Sequence, residues 1–366
     1  MSISRDNILD ALRYVIHPEH EKDIVSLGMV EDLEIRGKEV QFTLVLRKPK
    51  DPFATSLRNA CINAIKTHVD KDVIIVGNIE IKEEKQVSPD RPLAGVSNII
   101  AIASGKGGVG KSTVSVNLAI ALSREGFRVG LLDADVYGPS IPKMFGVEGI
   151  RPSFEKIDGK DRIIPLDKYG IKLLSMGFFV NQKDALVWRG PMATSALKQL
   201  ISDGNWGELD YLIIDLPPGT GDIHLTLVQS VSVTGAIIVS TPQDVALADA
   251  IKGISMFTGE QVNVPVLGLV ENMAWFTPAE LPENKYYIFG REGCKKLAKE
   301  VNIPLLGQIP LVQSICEGGD NGWPVTMDEA NPAGQAFISL ARETVKAVDY
   351  RNTSKAPTKI VEIKKH

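Results

Sequence analysis

Cysteine is scarce in this chain: three thiols, Cys61, Cys294 and Cys316, stand among 366 residues, and no two form a C-x-x-C pair. That number and spacing exclude a disulfide scaffold. Long apolar runs are also missing, none approaching the roughly 18 residues that a membrane helix requires. The opening Met1-Ser2-Ile3-Ser4-Arg5-Asp6-Asn7 lacks the basic-then-apolar layout of a secretion signal. The expected address is therefore the cytoplasm, where thiols stay reduced. Nor is there an excess of charge of one sign. With 41 Lys+Arg against 45 Asp+Glu and a net charge of −4, no global basic field recruits nucleic acid or an anionic membrane. What remains is an ordinary globular composition, 44% hydrophobic and 23% charged, ample for a sizeable core. The length predicts two or three domains, one large and one small.

Residues 1–85 read as the small one, an α+β unit in the order helix, two strands, helix, strand. Ser4 is placed to cap a helix carrying Ile8, Leu9, Leu12, Val15 and Ile16 on one face, which His17-Pro18 would stop. A strand near Asp32 to Ile35 meets a Gly37-Lys38 turn, and Glu39 to Arg47 then alternates Val40, Phe42, Leu44 and Leu46 with polar residues. That is a hairpin signal. Phe53, Leu57, Ala60, Cys61, Ala64 and Ile65 give a helical face on which Cys61 reads as a small core hydrophobe. Val73, Ile75, Ile79 and Ile81 alternate again. The polar, proline-bearing stretch 86–97 is expected to be a linker, and 349–366 a frayed polar tail.

The second unit, 98–348, opens with the apolar run Asn98-Ile99-Ile100-Ala101-Ile102-Ala103, a buried-strand pattern. It leads directly into Ser104-Gly105-Lys106-Gly107-Gly108-Val109-Gly110-Lys111-Ser112-Thr113, and a helical pattern follows. Strand, glycine loop and helix come in the order a phosphate site needs. The glycines let successive backbone N–H groups turn toward a phosphate, and the helix N-terminus adds its partial positive charge. Lys111 would reach the γ-phosphate of ATP, and the hydroxyl of Ser112 would bind Mg²⁺. Carboxylates fall where a doubly wound, mostly parallel α/β sheet places them, at the C-terminal ends of strands: Asp133, with Asp135 just beyond it, and Asp215. Two further strands, Gly235 to Ser240 and Val266 to Val270, flank a helix over Val245 to Phe257, and a capped helix starts at Asn331-Pro332.

The first lysine of the loop, Lys106, makes it similar to the deviant Walker A loop of the P-loop NTPase family that includes partitioning ATPases, nitrogenase iron protein and Mrp-type iron–sulfur carriers. The resemblance implies a homodimer in which Lys106 crosses a two-fold axis to the partner's ATP. It also implies that Asp135 orients the attacking water, that Asp133 and Asp215 serve Mg²⁺, and that Asn272 and Pro310 hold the adenine. Asp135-Val136-Tyr137-Gly138-Pro139-Ser140-Ile141-Pro142, Trp188-Arg189-Gly190-Pro191-Met192, Leu216-Pro217-Pro218-Gly219-Thr220-Gly221-Asp222 and Glu271-Asn272-Met273 resemble the Mrp/ApbC branch. Asp23-Ile24-Val25-Ser26-Leu27-Gly28 and Val73-Ile74-Ile75-Val76 resemble the small domain of iron–sulfur assembly proteins, without the cysteine that its members often carry in the loop matching 47–52. The branch uses ATP to pass iron–sulfur clusters to apo-proteins and typically carries a Cys-Pro-x-Cys soon after the Glu-Asn-Met segment. Here that stretch reads Ala274-Trp275-Phe276-Thr277-Pro278-Ala279-Glu280-Leu281-Pro282-Glu283-Asn284-Lys285-Tyr286-Tyr287, with no thiol. Cys294, expected on a helix beginning at Ile288, is the nearest candidate cluster ligand, and one cysteine per subunit gives a dimer only two. A nucleotide-switched adaptor without its own cluster and, further off, a positioning ATPase are the competing readings.

Overall fold

The computed structural model describes residues 3–18, 22–46, 53–75, 80–83, 92–179, 190–278, 280–281 and 283–361. The loop 47–52, Val76 and Ile79, Trp188-Arg189, part of the expected linker and the last five residues lie outside them. The chain divides into two compact units, Met1–Ser88 and Pro89–His366.

The first unit contains α1 (Arg5–Leu12), β1 (Val30–Arg36), β2 (Glu39–Leu46), α2 (Ala54–His68), β3 (Ile74–Ile75) and β4 (Glu80–Glu83). Ser4 caps α1 through its hydroxyl, which accepts from Asn7 N at 3.3 Å. The helix ends well before His17-Pro18. There the backbone leaves the helical path to pair with residues 22–24, His17 N donating to Lys22 O and Ile24 N to Val15 O. The hairpin β1–β2 is antiparallel. The expected last strand is instead two short ones, each parallel to β2. Ile8, Leu12, Phe42, Leu44, Cys61 and Ile65 form the buried core, and burial pushes the Cys61 thiol up to about 12.

The second unit runs β5 (Val96–Ala103), α3 (Lys111–Arg124), β6 (Val129–Asp133), α4 (Ile141–Met144), β7 (Ser153–Ile157), β8 (Lys160–Ile164), β9 (Leu166–Lys168) and β10 (Ile171–Ser175), then α5 (Gly190–Ser202), β11 (Leu209–Asp215), α6 (Asp222–Ser230), β12 (Gly235–Ser240) and α7 (Asp244–Thr258). It closes with β13 (Val266–Glu271), α8 (Gly293–Glu300), β14 (Leu305–Gln308), α9 (Gln313–Asp320) and α10 (Pro332–Ser354). Eight strands form one sheet in the order β14-β13-β12-β5-β11-β6-β10-β9. All its pairings are parallel except the edge strand β9. Because strand side chains alternate, the sheet feeds two cores. Ala101, Leu212 and Ile214 pack with Leu197, Leu227 and Phe257 on one face. Ile100, Ile102 and Ile213 pack with Val114, Leu118, Phe337 and Leu340 on the other. The sheet is doubly wound, and β5 sits at its switch point, with later strands added to both sides.

Three further expectations are corrected. Residues 92–97 are not linker, since Gly95 O accepts from Leu209 N at 2.9 Å and β5 already begins at Val96. The tail from 349 is not frayed: α10 continues to Ser354, and from its last turn Arg351, itself buried, reaches past the helix end to donate to Ala356 O and Thr358 Oγ1 at 3.1 and 2.6 Å. Val361 N then donates to Val228 O. The arginine fork supplies donors that fold the polar segment back, which its composition does not reveal. The helix bearing Cys294 begins at Gly293, not Ile288, which stays exposed ahead of it. Among the described residues, no helix is long and apolar enough to cross a membrane.

Candidate nucleotide site

The loop after β5 is shaped by close approaches that only glycine tolerates. A Cβ at Gly105 would lie 2.1 Å from the Asp249 carbonyl on α7, and Gly110 combines a φ of +79° with a space where a Cβ would meet Asn272 Nδ2 at 2.2 Å. Gly110 is also the N-cap of α3 and contributes no side-chain cap, leaving the first N–H groups of that helix for an anion.

Lys111 and Ser112 open α3 and converge on Asp215 at the end of β11. Lys111 Nζ and Ser112 Oγ both donate to Asp215 Oδ2 at 2.7 Å, and Ser115 Oγ donates to Oδ1 at 2.5 Å. The lysine is 6% exposed and the aspartate fully buried. The strand register sets Asp133 beside Asp215, where it accepts from Ser175 Oγ at 2.8 Å and from Asp135 N at 3.1 Å. Burial, and next the charge of Asp215, hold the Asp133 carboxyl well above the usual carboxylate range. Asp135 turns back on its own loop, accepting from the backbone N–H of Tyr137 and Gly138 at 3.2 and 3.1 Å. Its carboxyl is raised too, chiefly by burial, with Lys111 opposing.

Asp133 carries a pH signature. Its folded pKa lies above the unfolded one, so the native state holds a proton that the unfolded chain has released, and stability is lost as pH rises beyond the ordinary carboxylate range. Above about pH 6.5, where His224, held down to about 4 by burial, is neutral in the folded and the unfolded chain alike, the nucleotide-free protein should therefore melt at falling temperature up to pH 8, and Asp133→Asn should flatten that slope. A wild-type profile already flat would remove the argument.

Around this centre lie two cavities. One of about 340 Å³ is lined by Gly110, Thr113, Asn272, Met273, Pro310 and Ile315 among others. Asn272 donates from Nδ2 to Val109 O at 2.8 Å, which leaves its Oδ1 available as an acceptor. The other, about 470 Å³, lies between Asp135, Tyr137 and Gly138, the Pro217-Pro218 turn, Asp222 and the start of α5. That turn is tied to the loop by Gly219 N donating to Ser104 O. Lys106 is half-buried, and its carbonyl accepts from Ser104 Oγ at 3.0 Å.

The two remaining candidate thiols are not brought to one place. Cys294 is wholly buried at the start of α8, its sulfur 3.9 Å from Thr241 O. Burial first, and then the charge of Glu271, push that thiol up. Cys316 is exposed on α9, at the wall of the smaller cavity. Sequence reading missed Ser115 and Ser175. Ser115 was findable, one helical turn after Lys111, whereas Ser175 ends a strand, β10, whose pattern was not recognised. No group of three or more His, Cys, Asp or Glu side chains among the described residues is arranged to hold a metal.

A glycine loop between a central parallel strand and a helix, with its lysine and serine on a strand-end aspartate, defines a P-loop NTPase. Residues 95–345 match the family described as NUBPL iron-transfer P-loop NTPase, and residues 5–76 match that of iron-sulfur cluster assembly protein. The chain belongs to this iron-transfer P-loop NTPase family. It is 45% identical over 343 residues to an iron-sulfur cluster carrier protein of Synechocystis sp., covering 93% of this chain and 97% of that one. It is 48% identical over 261 residues to the iron-sulfur cluster transfer protein NUBPL of Dictyostelium discoideum, covering 71% and 79%. Among solved structures it is similar to a nucleotide-binding protein of Archaeoglobus fulgidus in complex with ADP, with a TM-score of 0.57 and 37% identity over 68% of this chain and 94% of that one. The cell division ATPase MinD of Pyrococcus furiosus, with a TM-score of 0.51 and 23% identity over 68% and 99%, shares the fold.

Proposed function

We propose that this protein is an ATP-dependent carrier of iron–sulfur clusters that works as a homodimer in the cytoplasm and hands its cargo to apo-proteins. The observation that supports it most is the convergence of Lys111, Ser112 and Ser115 on Asp215 inside a chain whose relatives are carriers. Gly105, Lys106, Gly107, Gly108, Val109, Gly110, Lys111, Ser112 and Thr113 cradle the phosphates, and the base enters the cavity beside Asn272 and Pro310. With ATP in place, Lys111 exchanges Asp215 for the γ-phosphate. The Ser112 hydroxyl and the carboxylates of Asp133 and Asp215 form the hard oxygen donor set that suits Mg²⁺, directly or through its waters. When bound, Mg²⁺ neutralises charge on the β- and γ-phosphates. Asp135 orients the attacking water, and Lys106 reaches the partner's nucleotide, where it stabilises charge developing in the transition state.

The cluster is cargo, and its ligands are the open part of the site. Cys294 is buried with a raised pKa, which suits packing better than thiolate ligation. The adaptor reading draws support from the thiol-free segment after Met273, which exposes Leu281, Tyr286 and Ile288. Anaerobic reconstitution with iron and sulfide decides between them, measuring iron per dimer, the visible spectrum and activation of an apo-enzyme. A carrier retains a cluster and activates the acceptor. If no iron is retained and nothing is activated, the adaptor stands. The Cys294→Ala and Cys316→Ala variants then show whether either thiol contributes.

A further inference from the structure

Glu271, the last residue of β13, is fully buried. Its carboxylate accepts from two elements: Oε2 from Cys294 N at 2.7 Å, with the Cys294 thiol also against the carboxylate, and Oε1 from Gln308 Nε2 at 2.6 Å. Its carbonyl accepts from Ile309 N at 2.8 Å. One residue therefore ties together the ends of β13 and β14 and the start of α8. That helix has no side-chain cap of its own, its N-cap Glu292 lying at a φ of +56°. The Glu271 carboxylate supplies the missing acceptor from outside and meets the positive end of the helix dipole.

The ties bear on the base cavity because two of its walls start here. Asn272 and Met273 directly follow Glu271, while Pro310 follows Gln308 by two residues. Met273 takes a φ of +54°, a conformation that persists in a non-glycine residue only where its surroundings hold it. It is bracketed by Asn272 N donating to Ser240 O and Ala274 N donating to Ile309 O.

We infer that Glu271 is a positioning residue for base recognition, setting the spacing between the Asn272 wall and the Pro310 wall so that adenine is chosen over guanine. This rests on the reading that the cavity holds the base. In Glu271→Gln, one of the two donors must meet an amide N–H in place of an oxygen. The KM for ATP should rise about tenfold and the preference for ATP over GTP fall about tenfold, with kcat within about twofold of wild type. The exchange Glu271→Gln with Gln308→Glu restores both bonds, the second in reversed polarity: the amide oxygen at position 271 accepts from Cys294 N, and the amide nitrogen there donates to the carboxylate introduced at position 308. It should return KM and preference to within about twofold of wild type. Unchanged KM and preference in Glu271→Gln, or no recovery in the exchanged pair, overturns the inference. Should Glu271→Gln not fold, Gln308→Leu removes one bond at a half-buried position and is expected to weaken ATP preference in the same direction. An unchanged preference there counts against the inference. Asn272→Ala separates the two readings. If it leaves the ATP preference intact, the cavity does not read the base; if it abolishes the preference while Glu271→Gln does not, only the positioning role fails.

Discussion

Lys111→Ala should lower the affinity for Mg-ATP by at least about 100-fold, equal to about 2.7 kcal/mol. Among the described residues the lysine is the one cation paired at the centre of the site, held 2.7 Å from Asp215 and buried with it. Against a triphosphate, its ammonium makes charge-assisted hydrogen bonds in a place that water does not screen. The same substitution disturbs the empty protein, because Asp215 is left beside Asp133 with no counter-charge. Breaking a buried pair in this way costs about 3–5 kcal/mol before relaxation, and uptake of a proton by one carboxyl offsets part of it. The two effects are separable. Adding Asp215→Asn removes the uncompensated charge and should recover melting temperature without recovering ATP binding. Calorimetric titration with ATP and a thermal melt on each variant read them independently, and unchanged ATP affinity in Lys111→Ala would falsify the phosphate-loop assignment.

Lys106→Ala should leave ATP binding to the single chain within about threefold of wild type while turnover falls about 1,000-fold, the low end of what a cation supplied in trans contributes to phosphoryl transfer. Only the carbonyl of this residue takes part in the loop's internal bonding, accepting from Ser104 Oγ. Truncating the side chain therefore spares the loop's shape. Sedimentation with and without ATP, run beside phosphate release, checks both halves. ATP-dependent dimerisation should weaken together with turnover, and a variant that dimerises and hydrolyses normally would remove the trans-lysine role.

Much of the nucleotide site was legible because its chemistry is local. The strand Val96–Ala103, the glycines and Lys111-Ser112 are contiguous, so sequence order is also spatial order. Asp133 and Asp215 were legible for a different reason: each ends an apolar run, and a parallel sheet brings such ends together. Ser175 and the strand β14 that leads into Pro310 were not. Strand β10 is a five-residue run and β14 only four, too short for a periodic signal to separate strand from loop. The tail escaped because Val361 N donates to the distant Val228 O, and because the Arg351 bonds to Ala356 and Thr358, only five and seven residues along, follow no helical or strand period.

The sequence by itself determined the class of site and the scarcity of thiols, because motif chemistry and residue counts do not depend on how the chain folds. Only the tertiary structure decided what those thiols can do. Cys294 lies buried against the Thr241 carbonyl with a raised pKa, while Cys316 is exposed at the wall of the cavity beside Asn272 and Pro310. It also decided that one buried carboxylate, Glu271, accepts from both Cys294 N and Gln308. Burial and hydrogen-bond partnership arise from residues far apart in the chain, and no spacing along the sequence encodes them.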